Sequence, residues 1–338
     1  MGYARFLIKR ALQGVFVVWG VVTVVFALRF VTPGSPITFI APLDASQQLR
    51  QQIAERLGLN RPFYVQYADY LWDLLHLDMG QSYISNTSVA GQVFSRLPAT
   101  IELAVAATLV AIVLSIPLGV VSATNRHEPA DYAATTFSLL GISTPNFWLG
   151  LMLVLLFAVG IGVFPSWFPT SGIGQVRGQT VLFVDALTHL LQGEPRWMVV
   201  WLKHITLPAI TLGTYFTALV TRLTRSGMLD ELGKSYVQAL RAKGLPETLV
   251  RYRHALKNTL IPVITVLGLQ LGTLIGGAVI TEAVFAWPGL GSLLINAINS
   301  RDWLMIQGCL IVIGVGFVVV NTVVDLLYAY VNPEVTAD

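Results

Sequence analysis

Residues 303–324 read WLMIQGCLIVIGVGFVVVNTVV, a run without a single charged side chain. At about 1.5 Å per residue, an α-helix of this length extends roughly 33 Å, enough to cross a hydrocarbon core about 30 Å thick. Working outward, five more charge-free runs follow the same pattern: Ala11–Leu28, Leu103–Asn125, Tyr132 through the 150s, Ile205–Thr221 and Asn258–Thr281. Backbone groups in lipid find no water, so each segment must bond within itself, as a helix does. The runs predict an all-α integral membrane protein with six transmembrane helices.

Composition agrees. Of 338 residues, 54% are hydrophobic and 12% charged, against about 25% charged in an average soluble domain. Mean hydropathy is +0.68. This alphabet excludes an ordinary soluble enzyme and a disordered chain. The single cysteine, Cys309, excludes a disulfide framework and a cysteine zinc cluster. A net charge of +3 gives no footprint for nucleic acid. The third run exceeds one crossing and is expected to leave the bilayer near Pro165, where Phe164–Pro169 combines prolines with interfacial aromatics. The first run follows Arg5, Lys9 and Arg10 like a signal peptide, but at 18 residues it exceeds a signal core of about 7–15. An uncleaved first helix is expected.

Six crossings put both termini on one side. With the N-terminus in the cytoplasm, the inner set is Arg5, Lys9, Arg10, Arg126, Arg222, Arg225, Lys234, Arg241, Lys243, Arg251, Arg253 and Lys257, or 12 of the 21 lysines and arginines. Four of the outer nine (Arg50, Arg56, Arg61 and Arg96) fall in one long segment, where charge counts less. Both termini are therefore expected in the cytoplasm. The expected organisation is a cytoplasmic N-terminus (1–10), a first helix (11–31), an extracytoplasmic helical segment (32–98), a five-helix core (99–331) and a tail (332–338). Within the core lie an extracytoplasmic loop, 165–203, and a cytoplasmic loop, 222–258.

In the outer segment, Asp44 is the expected N-cap of a helix carrying Leu49, Ile53 and Leu57 and closed by Gly58. A second amphipathic helix starts at Pro62 and carries Phe63, Tyr67, Leu71 and Leu74 or Leu75, with Tyr64 and Trp72 suited to the headgroup region. The pair reads as a cap over the bundle or as a docking surface for an outside protein. The loop 165–203 is expected to hold a short interfacial helix in Val181–Leu191.

The inner loop is the most informative. Ser235–Gly244 reads as a helix ended by glycine, and Leu245-Pro246-Glu247 restarts a helix with proline in its first turn. Leu249, Tyr252 and Arg253 follow at helical spacing. A rigid, basic, helical projection suits the receipt of a push from a soluble partner.

These residues resemble a known family. Gln238-Ala239-Leu240, Gly244 and His254-Ala255-Leu256-Lys257 are similar to the signature loop of ABC-importer permeases, Glu-Ala-Ala, three residues, Gly, nine residues, Ile, one residue, Leu-Pro. The Arg-Ala-Lys-Gly-Leu core, Arg241 to Leu245, resembles the dipeptide and oligopeptide permease subfamily. So do Leu57–Pro62, Arg96–Leu103, Thr144–Gly150, Val284–Gly291 and Asp325–Tyr328, in order along nearly the whole chain. Gln238 replaces the signature's Glu, Leu240 its second Ala and Lys257 its Pro. Val331–Glu334 lacks the arginine of the family's Asp-Pro-Arg ending.

The resemblance implies a type I ABC-importer permease fold in a prokaryotic cytoplasmic membrane, without catalytic residues. It implies a second homologous permease, two cytoplasmic ATPases that bind ATP and Mg, and an extracellular substrate-binding protein. No cofactor is expected on this chain. Gln238, Ala239, Arg241, Gly244, Leu245, Pro246, Glu247, Arg251 and His254 would form the ATPase coupling loop. Alternatives are the same fold carrying nickel complexes or oligosaccharides, or an ion-coupled secondary transporter.

Other features carry rival readings. Gly233-Lys234-Ser235 resembles the end of a phosphate-binding loop, but Met228 stands where that loop needs glycine. Gly268, Gly272 and Gly276 form a small-residue stripe that suits close helix packing or a substrate path. Glu102 and Glu282, at span ends, are candidate substrate-path residues or interface charges. Asp325 is expected to pair with a basic inner residue. The five histidines sit at no metal-ligand spacing, and Cys309 reads as a packing residue.

Overall fold

A computed structural model describes residues 3–31, 37, 45–56, 58, 60–160 and 165–331, and these are helical apart from turns and one minimal hairpin. In chain order the helices are α1 (Tyr3–Val31), α2 (Gln47–Arg56), α3 (Phe63–Leu75), α4 (Val89–Thr124), α5 (Pro129–Ser143) and α6 (Asn146–Leu153), which runs on as a π-helical turn, Val154–Gly160. Strands β1 (Gln175–Val176) and β2 (Gln179–Thr180) precede α7 (Phe183–Leu191) and α8 (Arg196–Leu232). Then come α9 (Ser235–Ala242), α10 (Glu247–Leu249), a π turn at Val250–Ala255, α11 (Leu256–Gly277), α12 (Val279–Val284), α13 (Leu290–Ser300) and α14 (Trp303–Val331).

Four stretches are long and apolar enough to cross a membrane: Ile8–Phe30, Val89–Thr124, Glu247–Leu274 and Trp303–Leu326. The third run is not one straight span, which corrects the sequence expectation. It breaks between α5 and α6 with a bend of 107°. Pro145 causes the break, because its ring pushes Thr144 out of helical geometry, here to φ −88° and ψ 124°. The predicted exit near Pro165 falls beyond the π-helical turn, where residues 165–169 are non-helical, while Phe164 itself lies outside the described residues.

The run Ile205–Thr221 lies in α8, 37 residues long but less apolar than the four spans. Thr211, Thr214 and Thr217 donate their hydroxyls to the carbonyls one turn back at 2.8, 2.6 and 2.9 Å. Leu207, Ala209, Leu212, Ala218 and Val220 are all buried by protein. A helix at the centre of a bundle needs no lipid-facing hydropathy. Glycine lets its neighbours close on it: a Cβ at Gly213 would stand 2.7 Å from the Ala107 carbonyl, and one at Gly119 2.5 Å from Thr224.

Packing fixes the helix directions. Gly268 and Gly272 of α11 meet Val324 and Asn321 of α14, so these helices run antiparallel. Gly14 and Gly314 bring α1 and α14 together, again antiparallel, and Arg10 pairs with Asp325 at 2.9 Å, as expected of Asp325. Gly308, near the start of α14, meets Val89 and Val93 at the start of α4, so these two helices begin at the same end of the bundle. One end of the bundle therefore gathers Arg10, Asp325, the end of α4 and the α9–α10 elbow.

The segment before α4 folds largely as expected. The N-cap of α2 is Ser46 and not the expected Asp44, since α2 starts at Gln47 and Ser46 Oγ accepts from the Leu49 N–H at 3.2 Å; Gly58 closes the helix at φ +65°. Asp44 and Leu57 lie outside the described residues. Phe63, Tyr67 and Tyr70 of α3 ring Phe26 of α1 at 5.2–5.4 Å, while Tyr64 and Trp72 face outward. α4 starts at Val89, inside the segment assigned to the exterior, and α7 is the expected short helix.

Candidate functional site

The elbow is two short helices held by two carboxylates. α9 stops at Ala242 because Gly244 takes φ +78°, a left-handed turn that only glycine adopts without strain. Pro246 then sits at the N-cap of α10, one position before the predicted first turn. Glu247 accepts two bonds from Arg241, Nε at 3.0 Å and Nη2 at 2.8 Å, and a third from Arg251 Nε at 3.1 Å. This fork clamps α9 to α10. Glu231, at the end of α8, pairs with Lys234 Nζ at 2.5 Å and accepts from Tyr236 at 2.7 Å and Asn258 at 3.3 Å. It thereby ties α8, α9 and α11 to one point.

Val237, Val250 and Ala255 anchor the inner face of the elbow, all fully buried. Gln238, Ala239, Arg241, Lys243, Gly244 and Pro246 are exposed, while Leu245, Glu247, Arg251 and His254 are half-buried. All the predicted coupling residues thus belong to one rigid projection. The loop is shorter than expected: Arg222 and Arg225 belong to α8, and the π turn leads straight into α11. A π turn is common beside functional sites.

At the opposite end, Glu282 and Glu102 serve as anchors. Glu282 is fully buried; it accepts from Thr100 Oγ1 at 2.7 Å and from the Ser292 N–H at 3.0 Å. Thr100 Oγ1 accepts in turn from the Leu290 N–H at 2.7 Å. Together they satisfy the orphan N–H groups that open α13. Trp287, also fully buried, donates to the Ala99 carbonyl at 2.9 Å and pins the same turn to α4. Glu102 accepts from the Phe183 N–H at 3.1 Å and from Trp201 Nε1, so it holds the start of α7. Each expected substrate-path glutamate is a clasp between α4 and an outer helix.

Beside them, Glu194 accepts from Trp197 Nε1 at 2.9 Å and Arg177 Nη2 at 3.0 Å. Trp197's bond, then Arg177's, hold its carboxyl below the ordinary range. The glycine stripe resolves by position. Gly268 and Gly272 pack tightly against α14, and Gly276, though more exposed, still faces α14, where a Cβ would stand 3.6 Å from Ile313. Among the described residues, no group of three His, Cys, Asp or Glu side chains could hold a metal ion.

Two clusters escaped the sequence reading. The Glu231–Tyr236–Asn258 network spans 27 residues, with no periodicity to announce it. Arg225 counted only as a positive charge, yet it forks onto Asp131. Its one sequence signal was a carboxylate next to the α4–α5 turn.

The family described as binding-protein-dependent transport system inner membrane component matches residues 115–337. The N-terminal region of such membrane components matches residues 3–104. The chain belongs to this family.

Relatives align over almost the whole length of the chain. It is 39% identical over 330 residues to the dipeptide transport system permease protein DppB of Alkalihalophilus pseudofirmus, covering 98% of each chain. It is 37% identical to the oligopeptide transport system permease protein AppB of Bacillus subtilis, covering 98% of this chain and 99% of that one. Against the dipeptide permease DppB of Escherichia coli K12 the identity is 38%, covering 94% of each. The chain is a multi-pass membrane component of a transport system, not an enzyme.

Proposed function

We propose that this chain is one of two permease subunits of an ATP-driven importer that moves di- or oligopeptides across the prokaryotic cytoplasmic membrane. The observation that carries the reading is the elbow: an exposed, basic, glycine-cornered projection braced by Glu247 and Glu231 in a member of a binding-protein-dependent transport family. Peptide cargo follows from relatives named for dipeptide and oligopeptide transport.

In this reading the polypeptide crosses six times, with α8 and the bent α5–α6 pair as the crossings that are not uniformly apolar. Both termini and the elbow face the cytoplasm, where the excess of lysine and arginine belongs. The outward faces of α9 and α10 seat in a cytoplasmic ATPase, one of two that bind ATP and Mg. A second homologous permease completes the pathway, and an extracellular binding protein delivers cargo at the end that carries α3, α7 and α13. Closure of the ATPases pushes the elbow; Glu231 passes the push to α8 and α11. Pro208 and Pro262 leave gaps in the hydrogen-bond ladders of these helices, and so provide places to bend. Transport then alternates between two arrangements of one rigid unit.

The test is reconstitution with the partner permease, ATPases and binding protein in proteoliposomes. ATP-dependent uptake of labelled di- and tripeptides supports the reading. Uptake of nickel complexes or oligosaccharides in their place overturns the cargo, and uptake driven by an ion gradient without ATPases overturns the class.

A further inference from the structure

One carboxylate gathers three helices just above the elbow. Asp131, in the first turn of α5, is 3% exposed. Arg225 of α8 forks onto it, Nε to Oδ1 and Nη2 to Oδ2, both at 2.8 Å. Ser122, near the end of α4, donates to Oδ1 at 2.5 Å, and the His127 N–H of the intervening turn donates to Oδ2 at 3.1 Å. Thr135 approaches Oδ1 at 3.4 Å. A bidentate guanidinium pair fixes orientation as well as distance, because both groups are planar.

The position of this joint gives it consequence. Arg225 lies two helical turns before α8 ends at Leu232, so it rides on the helix that Glu231 ties to the elbow. Between joint and elbow, Met228, Val120, Ala123 and Ala255 form one buried cluster of α8, α4 and the π turn. Beyond the joint, α5 runs to the 107° break at Thr144–Pro145. Past the break, Gly150 of α6 meets Thr211 of α8 together with Val284 and Phe285 at the end of α12. Gly141 of α5 rests on Thr214. The bent pair leans on α8 through uncharged contacts, at Gly141 and Gly150 and through Leu153, Phe157 and Ala158 around Leu207. Among the described residues, only at Asp131 does an ion pair bind the two.

We propose that the Asp131–Arg225 pair, set by Ser122, is the positioning joint through which displacement of the elbow moves the bent α5–α6 pair. The inference rests on the importer reading and adds to it the contact that links the elbow to α5–α6. Breaking the joint leaves partner ATPases able to turn over while α5–α6 no longer follows. A coupling free energy between sites is commonly worth about 5–150-fold.

The experiment measures peptide uptake and ATP hydrolysis together, in proteoliposomes holding the full complex. Asp131→Asn and Arg225→Gln are each expected to lower uptake per ATP at least about tenfold, with hydrolysis per assembled complex within about twofold. The double variant is expected to lose no more than either single, since one joint is broken once. Ser122→Ala, which keeps the pair but loosens its setting, is expected to give a smaller loss. Uptake per ATP at the wild-type level in the assembled single variants overturns the proposal. So does a fall of uptake and hydrolysis in parallel. If neither single variant assembles, a wild-type ratio in Ser122→Ala overturns it, and a lowered ratio supports it. Wild-type complex that imports no peptide with ATP counts against the importer reading rather than against the joint.

Discussion

Glu282→Gln is a sharp test of the anchoring role given to that carboxylate. In the native chain, one oxygen accepts from Thr100 Oγ1 at 2.7 Å and the other from the Ser292 N–H at 3.0 Å. The amide replaces one acceptor with an NH2 that faces a donor. A hydrogen bond to a charged group is worth about 1.5–3 kcal/mol, and a stranded buried donor costs a similar amount. One such loss therefore predicts destabilisation by about 1.5–3 kcal/mol. That lowers the unfolding midpoint of the detergent-purified chain by roughly 3–10 °C. Trp287 reports on the same turn, since its indole is fully buried and bonded to the Ala99 carbonyl. Its fluorescence should shift to the red at lower temperature in the variant. Thr100→Val should cost a comparable amount, and the double variant less than the sum, because the two share one network. A midpoint unchanged within about 1 °C, or fully additive losses, would refute the assignment.

Gly244→Val should strain the elbow at a corner held at φ +78°, where open space surrounds a built Cβ. The expected result is a folded subunit with uptake reduced at least about tenfold, read as uptake against the amount of assembled complex. Glu247→Gln should loosen α9 from α10 and raise hydrogen exchange across 235–249 while leaving α14 protected. Gly268→Leu drives a side chain into Val324 and should separate α11 from α14, seen as a lowered unfolding midpoint with expression intact. Glu194 is held below its ordinary range mainly by Trp197. A carboxylate lowered in the folded state stabilises above its unfolded pKa and loses that contribution as pH falls through the folded value. Acidification below the ordinary carboxylate range should therefore loosen the α7–α8 turn, measurable by hydrogen exchange there, and Glu194→Gln should abolish the pH dependence.

Much of this fold could be read from charge-free runs, because lipid imposes length and helicity with few exceptions. The elbow was legible too: Gly244, Pro246 and the basic residues that flank them, Arg241, Lys243 and Arg251, punctuate the chain by local chemistry. Four features were not. α8 hides its centrality behind threonines, whose hydroxyls bond back to its own carbonyls. Thr144–Pro145 breaks a run that hydropathy alone reads as continuous. The partners of the two glutamates were hidden for a physical reason. A charge near a span end looks like a path residue, and only the tertiary structure shows Glu102 and Glu282 meeting the starts of α7 and α13. The Asp131–Arg225 pair joins residues 94 apart, a separation at which no spacing rule operates.

The central claim is that this subunit moves cargo only when a partner's ATP hydrolysis works its elbow. It is tested most directly by measuring labelled dipeptide uptake into proteoliposomes that contain either the whole importer or this chain alone. The account predicts accumulation in the first with ATP, none in the first with a non-hydrolysable analogue, and none in the second under any condition. Peptide entering vesicles that hold only this chain, or entering the complete system at the same rate without nucleotide, would contradict it.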